Sequence, residues 1–189
     1  MKILKNVLLV LLVAIAGVLA LAATRPDHYR IERGAKIAAA PAVVFAQVDD
    51  FHRWGAWSPW EKLDPAMKRE IAGAPAGTGA TYHWVGNDQV GEGRMTITDS
   101  RAPQSVAIRL EFIEPWTATN TTQFDFAPSS AGTNVTWTMT GHNNFMAKAF
   151  GLFMDMEKMV GPDFEKGLVN LDTATAAAAR EAPATTPVS

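Results

Sequence analysis

Cysteine is absent from this sequence. Disulfide scaffolds, thiolate zinc sites, iron–sulfur clusters and cysteine nucleophiles are excluded together. Clustered positive charge is missing too. The chain has 17 Lys+Arg against 19 Asp+Glu, and setting aside Lys2 and Lys5 leaves 15 against 19. Phosphate contacts need grouped cations, so nucleic acid is not expected as a partner. Histidine is scarce: His28, His52, His83 and His142 lie far apart, with no HxH or HExxH spacing. No metal and no cofactor are therefore expected. GxSxG and GK[ST] strings are also lacking, which leaves no serine-hydrolase elbow and no phosphate loop. What the chain has in quantity is apolar mass. Hydrophobic residues make up 48% and charged ones 19% of 189 residues, enough for a sizeable core and too apolar for global disorder.

Part of that mass is concentrated at the start. Val7–Ala23 reads VLLVLLVAIAGVLALAA without one charged or hydrogen-bonding side chain. At the rise of an α-helix this run covers roughly 26 Å, near the lower limit for crossing a bilayer's hydrocarbon core. Lys2 and Lys5 precede it, so the positive-inside rule places the N-terminus in the cytoplasm and the remainder of the chain outside. Ala20-Leu21-Ala22 fits a small-x-small cleavage site, the mark of a removable signal peptide. The length of the run and the polar stop Thr24-Arg25-Pro26-Asp27 favour a retained anchor. Residues 1–26 are thus read as anchor or signal, with membrane contact through 7–23. From Thr173 the chain becomes rich in Ala, Thr and Pro. Its first half can prolong a helix, and the stretch after Pro183 offers nothing apolar to bury. Residues 173–189 are read as a low-complexity tail and 27–172 as the folded domain.

Inside that domain the period is mostly two. Tyr29 and Ile31, then Ile37, alternate with charged residues. Pro41 opens a short helical pattern with Val44, Phe45 and Val48 on one stripe, followed by a second turn near 51–57. Strand patterns come next, around Met67–Ile71, Ala80–Trp84, Met95–Ile97, Val106–Phe112, Phe124–Phe126 and Val135–Met139. Connections this short predict hairpin-paired antiparallel strands. Gly91-x-Gly reads as a turn with a bulge. After Gly141 the period becomes helical through Phe145, Ala149, Leu152, Phe153, Met156 and Val160, then Phe164, Leu168 and Leu171. Gly161-Pro162 predicts a kink or break in this helix. The expected class is α+β: a curved antiparallel sheet with one long C-terminal helix across its apolar face.

Three strings then resemble a known superfamily. They are Ala40-Pro-Ala-Val-Val-Phe-Ala with Phe51-His-Arg-Trp-Gly-Ala-Trp-Ser-Pro-Trp, Gly91-Glu-Gly-Arg-Met, and Gly161-Pro-Asp-Phe-Glu-Lys-Gly-Leu-Val-Asn-Leu. With the strand–helices–strands–helix order they resemble the helix-grip, START-like (SRPBCC) superfamily, in its bacterial polyketide-cyclase-like branch. The likeness spans about residues 28–172. It implies a helix-grip fold whose sheet wraps the terminal helix, with a groove or cavity between them that accepts a hydrophobic small molecule or lipid. It does not imply one activity, because the fold hosts binders, transporters and enzymes.

Strand parity then selects the wall of such a cavity. The inward set comprises Tyr82, Trp84, Ile108, Leu110, Phe112, Phe124, Trp137 and Met139, with Asn120 and Thr122 as neutral hydrogen-bonding groups. Trp54, Trp57 and Trp60 recur every three residues, either as a packed corner or as the cavity mouth. Phe153 and Met156 are assigned to the helix side of the groove, in a segment that holds five of the eight methionines between 139 and 159. Phe145, Met146, Phe150 and Met154 fall off the main helical stripe and require burial against a ligand, a partner or a membrane. No titratable group appears on the wall, so a binder is expected rather than an enzyme. A cyclase or dehydratase type of enzyme would have to use His83 or Glu92, if strand parity were otherwise. A non-catalytic module docking a membrane partner is the third reading.

Overall fold

The structure is a computed structural model and describes residues 2–181. Helix α1 (Lys2–Ala23) carries the apolar run, with its side chains exposed along nearly the whole length. Strand β1 (His28–Ile37) begins after a four-residue connection. Helix α2 (Pro41–Val48) starts at its proline, which supplies the right φ at a position where no N–H is needed. Two short 3-10 turns, Phe51–Ala56 and Pro59–Lys62, carry Trp54 and Trp60, and Trp57 caps the end of the first. Then come β2 (Lys68–Gly73), β3 (Ala80–Val85), β4 (Glu92–Arg101), β5 (Ser105–Glu114), β6 (Ala118–Ser129) and β7 (Gly132–His142). Helices α3 (Phe145–Phe150) and α4 (Met156–Glu181) end the described chain.

All seven strands form one antiparallel sheet in the order β1-β7-β6-β5-β4-β3-β2. Six strands succeed one another as hairpins. Only β1 comes from afar, pairing with β7 from His28 opposite His142 to Ile37 opposite Thr133. Helix α4 packs on β1, on α2 and on both 3-10 turns. This is the α+β arrangement expected from the periodicity, and the helix-grip fold that the resemblance implies. The long-range clasp between α4 and β1 includes Arg33, whose Nε donates to Glu165 at 2.7 Å and whose Nη1 donates to Glu157 at 3.1 Å.

Gly91 adopts φ +62°, and the β4–β5 register shifts between Glu92 and Gly93, so the expected turn with a bulge is present. Gly93 has a second role. A Cβ there would stand 2.3 Å from Trp84 Cζ2, so only glycine lets the indole lie flat across the strand. Trp84 Nε1 donates to the Val90 carbonyl at 3.0 Å and locks that placement.

The helical break is not where Gly161-Pro162 predicts it. Pro162 lies inside a continuous α4, and the interruption falls at residues 151–155. Proline in a helix costs about 3 kcal/mol. Here the apolar stripe that follows it, with Phe164, Leu168 and Leu171 fully buried, and Arg33, which bonds Glu157 before the proline and Glu165 after it, hold the helix together. Gly161 contributes by leaving room for the Arg33 guanidinium, which a Cβ would approach to 2.2 Å. The true break is marked by caps. Asn144 Oδ1 accepts the Ala147 N–H at 2.8 Å to start α3, and Asp155 Oδ1 accepts the Glu157 N–H at 3.1 Å to start α4. Helix α4 continues past Thr173 to Glu181 along the alanine-rich stretch. The expectation for the chain after Pro183 lies outside the described residues.

Candidate ligand groove

The concave face of the sheet is built in rows set by register. One row runs Ile71, Tyr82, Met95, Leu110, Asn120, Gly141, Tyr29. The next runs Ile97, Ile108, Thr122, Met139, Ile31, and further along Phe124 stands beside Trp137. Of the wall residues expected from parity, Tyr82, Trp84, Ile108, Asn120, Thr122, Phe124, Trp137 and Met139 are buried, and Leu110 and Phe112 are half-buried. The structure brings all ten onto one face.

That face has two unlike halves. Under α4 it is filled with rings. Trp137 stacks on Phe164 at 4.0 Å between centroids and on Phe124 at 4.7 Å, and Trp57 and Trp60 meet its edges. Gly167 lets α4 approach this closely, since a Cβ would stand 2.7 Å from Trp137 Cζ3. Trp54 and Trp57 belong to this packing. Their Nε1 groups donate to the Val48 and Gln47 carbonyls at 2.9 and 3.0 Å, tying the 3-10 turn to the end of α2. Of the two roles open to the tryptophans, the packed corner is the one the structure gives them. The Nε1 of Trp137 is buried without a hydrogen-bond partner.

The other half, toward the start of β1 and the end of β7, is less covered. Met95, Leu110 and Phe112 stay partly accessible there. Asn120 and Tyr29 approach each other over Gly141, where any Cβ would meet Asn120 Oδ1 at 2.4 Å and the Tyr29 ring at 2.6 Å. Asn120 Nδ2 also points at Met139 Sδ, 3.8 Å away. Burial pushes the Tyr29 phenol above its ordinary pKa, and its hydrogen bond with Asn120 offsets part of that rise. A separate, open cleft of about 520 Å³ lies at this end of the sheet, and most of its lining, His28, Arg30, Thr119, Thr121, Thr140 and His142, belongs by register to the convex face, so it is not part of the groove.

Phe153 and Met156 do not join the wall. Both fall at the break between α3 and α4, where Phe153 is 77% exposed and Met156 47%. The continuous helix assumed from spacing would have turned them inward, and the interruption at 151–155 takes them out. His83 and Glu92 sit on the opposite, convex face and pair with each other at 3.0 Å.

One titratable group at the wall escaped the sequence reading. The Glu61 side chain is only 8% exposed. It accepts the Tyr82 hydroxyl at Oε1 and Arg69 Nε at Oε2, the latter at 2.6 Å, while Arg69 Nη2 donates to the Glu61 carbonyl at 2.9 Å. Burial raises the Tyr82 phenol well above its ordinary range, and the carboxylate beside it pushes further the same way. Glu61 lies in a four-residue 3-10 turn with no periodicity to show its direction, and its burial depends on Arg69 from β2. Among the described residues no group of three or more His, Asp or Glu side chains is arranged to hold a metal ion.

Chemically, the groove offers an apolar floor with a few neutral donors and acceptors and one carboxylate already engaged by two partners. Several solved structures share this architecture. A protein from Chromobacterium violaceum is 13% identical with a TM-score of 0.56, covering 80% of this chain and 98% of its own. An uncharacterized protein from Rhizobium leguminosarum is 16% identical with a TM-score of 0.59, covering 80% and 96%. A protein of unknown function from Staphylococcus aureus is 9% identical with a TM-score of 0.59, covering 82% and 97%. At these identities the likeness is one of fold. No protein with a curated description matches the chain. The sequence profile of the family described as "Polyketide cyclase / dehydrase and lipid transport" matches residues 28–176, from the first residue of β1 to well into the last turns of α4. The chain belongs to that family.

Proposed function

We propose that this protein is an extracytoplasmic domain, tethered to the membrane by α1, that binds a hydrophobic small molecule or lipid on the half-covered part of its concave wall. The observation that carries the reading is the contrast between the two halves. Met95, Leu110 and Phe112 keep accessible apolar surface next to the buried amide of Asn120, whereas the half beneath α4 is packed with rings. An apolar floor with one neutral polar handle suits a ligand that is mostly hydrocarbon and carries a single carbonyl or hydroxyl. The family's description, which includes lipid transport, supports the same ligand class. The apolar length of α1 and the cations before it support the tether.

Native mass spectrometry of gently extracted full-length protein should detect a co-purifying lipid, and an apolar fluorescent probe should compete with it. Leu110→Lys places a charge in the groove and should weaken probe binding by about tenfold or more, from the 1.5–3 kcal/mol of lost burial. Unchanged probe affinity in that variant would refute the location. A second reading, an enzyme of cyclase or dehydratase type, rests on Glu61 and Tyr82 at the wall's edge. It predicts that Glu61→Gln abolishes a turnover and leaves probe binding intact.

A further inference from the structure

The segment 145–154 reads FMAKAFGLFM: no carboxylate, one cation, and five large apolar side chains that the domain does not cover. Helix α3 contains no buried residue at all. Phe145, Met146, Phe150 and Met154 are about half exposed or more, and Phe153 more than any of them. Left in water, a contiguous face of this kind is unfavourable at about 25 cal/mol per Å².

Its position specifies what covers it. Helix α3 packs against α1, and Ala22 near the end of α1 is fully buried. The Asn143 N–H donates to the Asp27 carbonyl at 2.7 Å, and its side-chain amide reaches the Pro26 carbonyl at 3.3 Å. Lys148 forms an ion pair with Asp27. These contacts hold α3 at the level where α1 ends, beside the residues that lead into β1. A second element reaches the same end of the sheet. The turn between β5 and β6 lies at the same end of the sheet as the start of β1 and the end of β7, and its Trp116 is 76% exposed. An indole is the side chain most suited to the headgroup zone, where its ring is shielded and its N–H stays wet.

We propose that α3, the turn after it and Trp116 rest in the interfacial layer of the bilayer that α1 enters, so that the domain lies on the membrane and does not stand off from it. The inference rests on the tether proposed above. The less covered half of the concave wall shares this end of the sheet, which gives a lipid a short path from the bilayer to Leu110 and Phe112.

The absence of cysteine makes the test direct. Single variants Leu12→Cys, Trp116→Cys, Phe153→Cys and, on the convex face, Arg109→Cys are spin-labelled in the full chain. They are reconstituted in nanodiscs of phosphatidylcholine with phosphatidylglycerol, after circular dichroism has shown native folding. Accessibility to oxygen and to a water-soluble nickel complex then reports depth. Labels at 116 and 153 should lie about 5–10 Å inside the headgroup boundary, as for interfacial helices. The label at 12 should lie deeper and that at 109 in water. Labels at 116 and 153 in water, with 12 immersed, overturn the inference and leave the tether standing. A label at 12 in water overturns both. Labels at 116 and 153 shielded from nickel but not reached by lipid-dissolved oxygen show that a second copy covers the face, which also overturns it.

Discussion

Truncating Trp137 to alanine is the sharpest test of how α4 is held to the sheet. The ring is 2% exposed, sandwiched between Phe164 at 4.0 Å and Phe124 at 4.7 Å, and edged by Trp57 and Trp60. Large-to-small changes of this kind cost about 3–5 kcal/mol, of which a residual void of about 100 Å³ supplies ~2.4 kcal/mol. Two stacked partners are lost as well, so the expected value is at the top of that range, about 4–5 kcal/mol. The Nε1–H has no partner to lose, hence Trp137→Phe should cost much less, about 1–2 kcal/mol. Urea unfolding of the detergent-solubilised chain, followed by near-ultraviolet circular dichroism, reads both. With a slope of about 2 kcal/mol/M, the alanine variant should lose ~2 M in midpoint and the phenylalanine variant under 1 M. A midpoint for the alanine variant within about 0.3 M of the parent would place the ring outside the core and refute this packing.

The structure and the sequence set four further outcomes. Gly93→Ala should cost about 1–3 kcal/mol because its methyl would meet Trp84. Gly55→Ala, with nothing within 4 Å of the new methyl, should be close to neutral in the same urea unfolding. The chain has two tyrosines, and the phenols of both are raised, Tyr29 and Tyr82 alike by burial first. Absorbance of the folded protein should therefore show little phenolate at about pH 10, where a free tyrosine is half ionised. Stability is full below that pH and falls as pH rises past it, because the unfolded chain gives up its protons first, and Tyr82→Phe should flatten part of that fall. Half-ionised tyrosine in native protein at about pH 10 would contradict the burial of both rings. A reporter fused after Ser189 should be active outside the cytoplasm. Activity confined to the cytoplasm would reverse the orientation drawn from Lys2 and Lys5.

The sheet was legible because its pattern has one strict period. Alternation assigned Tyr82, Ile108, Phe124 and Trp137 to one face, and antiparallel pairing leaves no register that keeps them together on the other. The bulge at Gly91 was legible from glycine spacing alone. The helix break was misplaced because Pro162 is a local signal overruled by the burial of Phe164, Leu168 and Leu171 beyond it. The caps Asn144 and Asp155, with Gly151 between them, were the better signals, and they gave the wrong inward assignment of Phe153 and Met156 its correction. Glu61 could not have been found by periodicity. Its burial is a product of tertiary structure, made by β2 supplying Arg69 and β3 supplying Tyr82.

One of the two edge strands of the sheet has a consequence for self-association. Strand β2 is six residues long, pairs only with β3, and leaves one row of peptide groups open to solvent. Lys68, Arg69 and Glu70 are exposed along half of it, and Gly73 at φ +78° turns the backbone away at its end. Charge and brevity on a free strand oppose templated addition of another chain. Proteins confined to a surface meet far more often than in solution, so this guard matters most for a chain held there. Replacing Lys68 and Glu70 by valine should turn β2 into an adhesive edge and make sedimentation concentration-dependent, with each molecule's fold unchanged.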